Sequence, residues 1–181
     1  MLTIQVALKT YAQDAHQDLS IAYEVVHLSL MCHHNIISLC GLITTETHWH
    51  LLLELHDGVT LSEYIEARAS YIEETEARWF AEQIGSALAY CHAHLISHQS
   101  LTAGKVLLKR FGHVKITGFR ASRLAVNLEE FSPQKDAWSF GVIIWTMLWG
   151  GSPFQDDTTA ISEDRLRELD LTVSQGKISL T

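Results

Sequence analysis

The sequence predicts an α+β fold with an antiparallel sheet near the N-terminus and a mainly helical remainder. Three observations carry this. Strand-like runs cluster before residue 56, and apolar stripes at helical spacing dominate after it. Glycine and proline number only 10 and 2 among 181 residues, and such sparse punctuation favours long elements. With 47% hydrophobic and 19% charged residues, the chain can bury a core of single-domain size. That composition excludes a disordered tail protein.

Residues 2–9, LTIQVALK, read as a strand that ends in a lysine. Residues 14–32 read as a helix, with Leu19, Tyr23, Val26 and Leu30 recurring at spacings of three and four. NIISLCGLI (35–43) and WHLLLEL (49–55) are strand-like, with THW looking like part of a hairpin. Asp57-Gly58 is a break. Thr60 then opens TLSE, a capping-box pattern that starts a short helix to about Ala67. The longest helix is expected from about Glu74 to His94, with Phe80, Ile84, Leu88, Cys91 and Leu95 in one stripe. Gly85 and Ala87 leave room for another helix to approach. Short strands at 106–108 and 114–116 flank KRFGH. Residues 137–148 are apolar nearly all round, which predicts a central helix. Gly150-Gly151-Ser152-Pro153 ends it, a charged helix is expected around 162–169, and the final residues give a weak signal.

The net charge of −8 argues against nucleic acid, whose binding needs a basic face. The apolar run VIIWTMLW is too short to cross a bilayer. Cys32, Cys40 and Cys91 are odd in number and form no CxxC. With no secretory pattern at the start, the expectation is a reducing intracellular compartment, cytoplasmic rather than nuclear.

Six segments then fall in a telling order: VALK (6–9); Glu24 ahead of HHN (33–35); GVTLSEYI (58–65); HQSLTAGKVLL (98–108); TGFRAS (117–122); and DAWSFGVIIWTMLWGGSPF (136–154). Together they resemble the eukaryotic protein kinase domain over nearly the whole chain. The resemblance implies a two-lobed fold. Residues 1–55 would form a reduced small lobe without the glycine-rich phosphate loop, since only five residues precede Val6. Residues 56–181 would form an incomplete large lobe. The expectation is thus a single, truncated kinase-like domain.

The departures from that family bear on function. Kinases use an aspartate to accept the substrate hydroxyl proton and hold magnesium with an asparagine and the DFG aspartate. The corresponding positions carry Ser100, Lys105 and Gly118. The loop arginine and lysine become Gln99 and Thr102, and the glycine after the phenylalanine becomes Arg120. Only 17 residues lie between Gly118 and Asp136, with no APE-like motif among them. By resemblance, Leu28, Leu39, His98, Phe119 and Asp136 occupy the structural spine and its anchor, while Ala7 and Leu107 belong to the adenine-capping column. Lys9 and Glu24 fit the strand–helix ion pair, its plain reading being structural. With Lys105 they are also possible nucleotide contacts.

Other clusters read more plainly. His98 beside Ser100 suggests a Ser–His pair, but its family position makes it a packed core histidine. His33-His34, His48 and His50, and His92 and His94 have no standard zinc spacing. Trp138, Trp145 and Trp149 form a stripe suited to packing, with exposure of Trp145 or Trp149 at a partner interface as the alternative. Glu129-Glu130 and Asp156-Asp157 read as solvated loop charges.

The reading is a catalytically inactive kinase-like protein with no metal and no resident cofactor. It would act by protein–protein interaction, as scaffold or regulator of signalling, on an active kinase or its substrate. One alternative is a divergent ATP-binding serine/threonine or tyrosine kinase that handles nucleotide without metal. Another is an unstable partial product without independent function.

Overall fold

The N-terminal segments pair as an antiparallel sheet. In the computed structural model, which describes residues 5–13, 15–68, 71–127 and 131–154, β1 (Val6–Ala12) pairs with β3 (His48–Glu54), and β3 pairs with β2 (Leu39–Thr44). The strand order is β1-β3-β2. From Ala7 onward β1 alternates: Ala7, Lys9 and Tyr11 are partly buried while Leu8, Thr10 and Ala12 are exposed. Pairing of Lys9 with Leu51 fixes the register, and that register decides which β1 side chains meet the helix α1 (Ala15–Leu30). A bulge between Leu39 and Gly41 shifts β2 by one residue. β2 starts later than the sequence suggests because Asn35–Ile37 turn instead toward the second sheet, where Ile36 bridges Ile116.

α1 corrects one expectation. The stripe Leu19, Val26 and Leu30 faces solvent, at 62%, 47% and 55% exposure. The buried side is Ile21, Glu24, His27 and Leu28. Two stripes of opposite character compete on this helix. The one bearing a carboxylate and an imidazole goes inside because both find partners there, as buried polar groups must.

The rest is mainly helical. Thr60 caps α2 (Leu61–Ala67), its Oγ1 accepting the Glu63 N–H at 3.1 Å while the Thr60 N–H donates to Glu63 Oε2 at 2.7 Å. α3 (Glu74–Ala93) buries Phe80, Ile84, Leu88 and Cys91, the stripe expected. It packs on β7 (Val114–Ile116) and on α4 (Gln134–Trp149). A β-carbon on Gly85 would lie 3.6 Å from the Phe140 ring, so the two helices do approach there. Small strands tie the loops between them. β4 (Val59–Thr60), β6 (Val106–Leu108) and β7 (Val114–Ile116) form one antiparallel sheet; β5 (Ile96–Ser97) pairs with β8 (Arg123–Leu124). Gln83 joins helix to hairpin: its Oε1 accepts from Asn35 Nδ2 and the Val114 N–H, at 3.1 and 3.0 Å.

α4 is the second correction. It is apolar all round yet not central, since only Asp136, Ile143 and Met147 are buried. Trp145 and Trp149 stack at 4.5 Å, and Trp149 is about half exposed. The expected helix at 162–169, Glu129-Glu130 and Asp156-Asp157 lie outside the described residues. Among the described residues, no helix is long and apolar enough to cross a membrane.

Candidate functional site

Strand alternation places Lys9 and Tyr11 on the same face of β1, two residues apart. Lys9 Nζ reaches Glu24 of α1 at 2.9 Å to Oε1 and 3.2 Å to Oε2. Tyr11 donates its hydroxyl to Glu24 Oε2 at 3.0 Å. The carboxylate is fully buried, whereas the Lys9 side chain is about one-third exposed. Burial alone would pull the Lys9 pKa down, but the neighbouring Tyr11 and Glu24 outweigh it and raise it. Tyr11 also stacks on two cations. Lys9 Nζ lies 5.1 Å and Arg120 Cζ 4.7 Å from its ring centre.

Ser100, Lys105 and Gly118 meet opposite this strand. A short 3-10 turn at Ala103–Lys105 turns Lys105 back, and its Nζ donates to the Ser100 carbonyl at 2.7 Å and to Ser100 Oγ at 2.6 Å. Gly118 has φ of +85°, a left-handed conformation that suits glycine. A β-carbon there would lie 3.0 Å from Lys105 Cδ. Burial, then the charge of Lys9, holds the Lys105 pKa below the usual lysine value. Arg120 enters from the 3-10 turn Phe119–Ala121 and donates to Ser20 Oγ of α1 at 3.2 Å. Lys9, Tyr11, Ser100, Lys105, Gly118 and Arg120 line a cavity of about 490 Å³.

Behind this cavity the packing is tight. His98 and Phe119 are fully buried with rings 4.6 Å apart. His98 Nε2 donates to the Thr117 carbonyl at 3.0 Å, and its Nδ1 lies 3.4 Å from the Ser100 N–H. Burial pushes its pKa down to about 4. The ring is therefore neutral and spoken for on both nitrogens. Leu28 and Phe119 belong to one buried cluster, with Leu39 packed against it. Asp136 anchors the loop: Oδ2 accepts the His98 N–H and Oδ1 the Gln99 N–H, both at 2.7 Å, and His92 Nε2 lies 2.9 Å from Oδ2. Burial would raise the Asp136 pKa, but these hydrogen bonds lower it.

Residues 3–133 match the family described as protein kinase domain. The chain belongs to the protein kinase family. It is 34% identical to the probable serine/threonine-protein kinase MARK-C of Dictyostelium discoideum, over 76% of this chain and 21% of that protein. It is 31% identical to sperm motility kinase 1 of Mus musculus, over 82% of this chain and 34% of that protein. Likeness to protein kinase kin1 of Schizosaccharomyces pombe is 26%, over 90% of this chain and 20% of kin1. The chain thus spans between a fifth and about a third of the length of these relatives.

Kinases bring magnesium to their cleft on oxygen ligands. The donor set here does not suit that ion. Lys105 offers N–H donors and no acceptor, Gly118 has no side chain, and the space a side chain at 118 would fill is taken by the Lys105 stem. Among the described residues, no three His, Cys, Asp or Glu side chains gather as a metal group. His48 and His50 stack at 5.9 Å, as do His33 and His34 at 4.3 Å, without a third ligand type joining them.

Sequence reasoning singled out Lys9, Glu24, Ser100, Lys105 and Gly118, and the fold brings Lys9 to Glu24 and Lys105 to Ser100. It missed Tyr11, whose position two residues beyond Lys9 was the available signal. It noted Arg120 only as a departure and had no means of placing it over Tyr11. It also missed His27, whose Nδ1 lies 2.6 Å from the buried Ser122 Oγ and ties α1 to the turn after Phe119.

Proposed function

We propose that this chain is a catalytically silent member of the protein kinase family. It acts through protein contact, as scaffold or regulator of signalling, on an active kinase or a kinase substrate. The observation that carries this reading is the grip of Lys105 on Ser100. A kinase needs an acceptor poised to take a proton from the substrate hydroxyl. Here Ser100 offers a hydroxyl and a carbonyl, and both receive N–H bonds from the Lys105 ammonium. A hydroxyl so placed is a weak base, and the neighbouring positive charge weakens it further.

The buried framework supports the same reading from another side. His98, Phe119 and Asp136 are fully buried, and each is satisfied by the backbone or aromatic partners given above. A rigid framework with a cation in its cleft suits holding a surface in shape more than moving a phosphoryl group. The test is an in vitro phosphorylation assay with ATP, magnesium and general substrates. The expected result is no turnover above background. Turnover that Lys9→Ala abolishes would overturn the reading.

A further inference from the structure

α4 turns an uncharged apolar face away from the core. Its buried residues are Asp136, Ile143 and Met147, and helical periodicity puts Trp138, Gly141, Val142, Trp145 and Trp149 on the opposite side. Gly141 and Trp149 are exposed, while Trp138, Val142 and Trp145 are half-buried. α3 packs elsewhere on the helix, at Phe140, whose ring a β-carbon on Gly85 would meet at 3.6 Å. Among the described residues, nothing outside the helix's own backbone lies within 4 Å of a β-carbon built on Gly141. One turn further on, Trp145 and Trp149 stack at 4.5 Å, 17° from parallel. One turn earlier, Trp138 stacks on Phe154 at 5.6 Å. The face is thus a gap between two aromatic pairs.

We propose that this face pairs with the same face of a second copy, the two α4 helices crossing antiparallel about a two-fold axis. Gly141 and Trp145 lie on one i, i+4 row, the kind of row that meshes when helices pack. An axis between them seats the Trp145–Trp149 slab of each chain in the Gly141 gap of the other, so both contacts form at once. Charge argues for the same occupant. Each chain carries −8, and two copies meet at least cost where neither presents a charge. A charged partner would leave its own charges unpaired against this surface. The area suits a weak dimer. Trp149 is 53% exposed, and Tyr71, 64% exposed, flanks the last turn of α4, where the Ile72 N–H donates to the Met147 carbonyl at 2.6 Å. Aromatic side chains bury about 150–250 Å² each, so those on and beside this face offer on the order of 300 Å² per copy, against about 800 Å² per partner in a standard interface. Pairing in the micromolar range follows. This inference goes beyond the silent reading and does not rest on it, because Lys9, Ser100, Lys105 and Gly118 all lie off this face.

The experiment is sedimentation velocity of the full chain from low to high micromolar concentration, with thermal unfolding of dilute samples as the check on folding. The expected result is a reversible monomer–dimer equilibrium. Gly141→Leu fills open space in the monomer, and a helix interior favours leucine over glycine, so the dilute variant should unfold cooperatively at or above the wild-type midpoint. Its dimer should weaken by about tenfold or more, because the gap that receives the partner's tryptophan is filled. Trp149→Ala should weaken pairing about tenfold, as loss of an interface tryptophan does. Leu19→Gln, on the exposed side of α1, should leave the equilibrium unchanged. A chain that stays monomeric throughout the range overturns the proposal and assigns the face to another occupant, residues 155–181 or a different protein. A folded Gly141→Leu variant that dimerises as the wild type does overturns it too. So does a dimer that Leu19→Gln dissolves, which places the interface on α1. Failure here leaves the phosphorylation assay unchanged, and turnover in that assay leaves the sedimentation result to stand or fall by itself.

Discussion

Lys105 and Gly118 share one volume: a β-carbon built on Gly118 would lie 3.0 Å from Lys105 Cδ and 3.2 Å from Cε. The glycine also holds φ of +85°. Gly118→Ala should therefore cost about 1–2 kcal/mol from the left-handed backbone alone, plus whatever Lys105 yields by moving. In a Lys105→Ala background the cost should shrink without vanishing. Urea unfolding of the four proteins of this cycle measures the coupling. Equal costs in both backgrounds would show that the two residues do not compete.

The Lys9–Glu24 pair gives a prediction that needs no ligand. Lys9→Ala leaves a fully buried carboxylate with Tyr11 as its remaining partner from this trio. The loss should be about 2–3 kcal/mol, below the range for a wholly buried pair because Lys9 is partly solvated. Lys9→Met with Glu24→Leu should recover much of it. Denaturant midpoints in ATP-free buffer decide this, and a neutral Lys9→Ala would remove the pair from the structural account.

His98 sets a pH dependence. Its pKa is about 4 in the fold against an ordinary 6.5, so between those values the unfolded chain binds more protons. Stability is then complete above about pH 6.5 and is lost as pH falls toward 4, by up to about 3 kcal/mol. His27 and His33, also lowered by burial, act in the same direction. Asp136, held low, gives up its share only below the ordinary carboxylate range, later in the acid limb. Urea midpoints across this range should fall with acid, and His98→Gln should flatten the slope.

Asp136 accepts two backbone N–H groups, one from Gln99 at φ of +66°. Asp136→Asn turns an amide donor toward one of them and forfeits the charge. About 3 kcal/mol should go, the sum of an unsatisfied buried N–H and a weakened bond. Hydrogen exchange at His98 and Gln99 should accelerate more than at the centre of α3. Uniform acceleration would place the effect in global stability instead.

α1 offers a direct comparison of its two faces. Leu19→Gln and Leu30→Gln, on the exposed side, should change stability by less than about 0.5 kcal/mol. Leu28→Ala, at 2% exposure, should cost about 2–5 kcal/mol. Thermal melts of the three variants separate these outcomes.

Much was legible in the residues themselves. The strand-like run that ends in Lys9, the Thr60–Glu63 capping box and the α3 stripe are local patterns, and local patterns fix local elements. The order of six motifs carried the family in the same way. Other features depended on what lay far along the chain. α1 had two plausible faces, and periodicity alone favoured the apolar one. Glu24 and His27 went inside because Lys9 and Ser122, distant in sequence, were there to satisfy them. α4 looked central because a hydrophobicity pattern counts apolar residues, not the neighbours available to cover them. Tyr11, Lys105 and Arg120 come from three separate segments, so no window of sequence could place them around one cavity. Composition and spacing determined the elements, and the resemblance of six motifs pointed to the family; tertiary structure decided which charges meet, because solvation and pairing are settled only when distant segments are brought together.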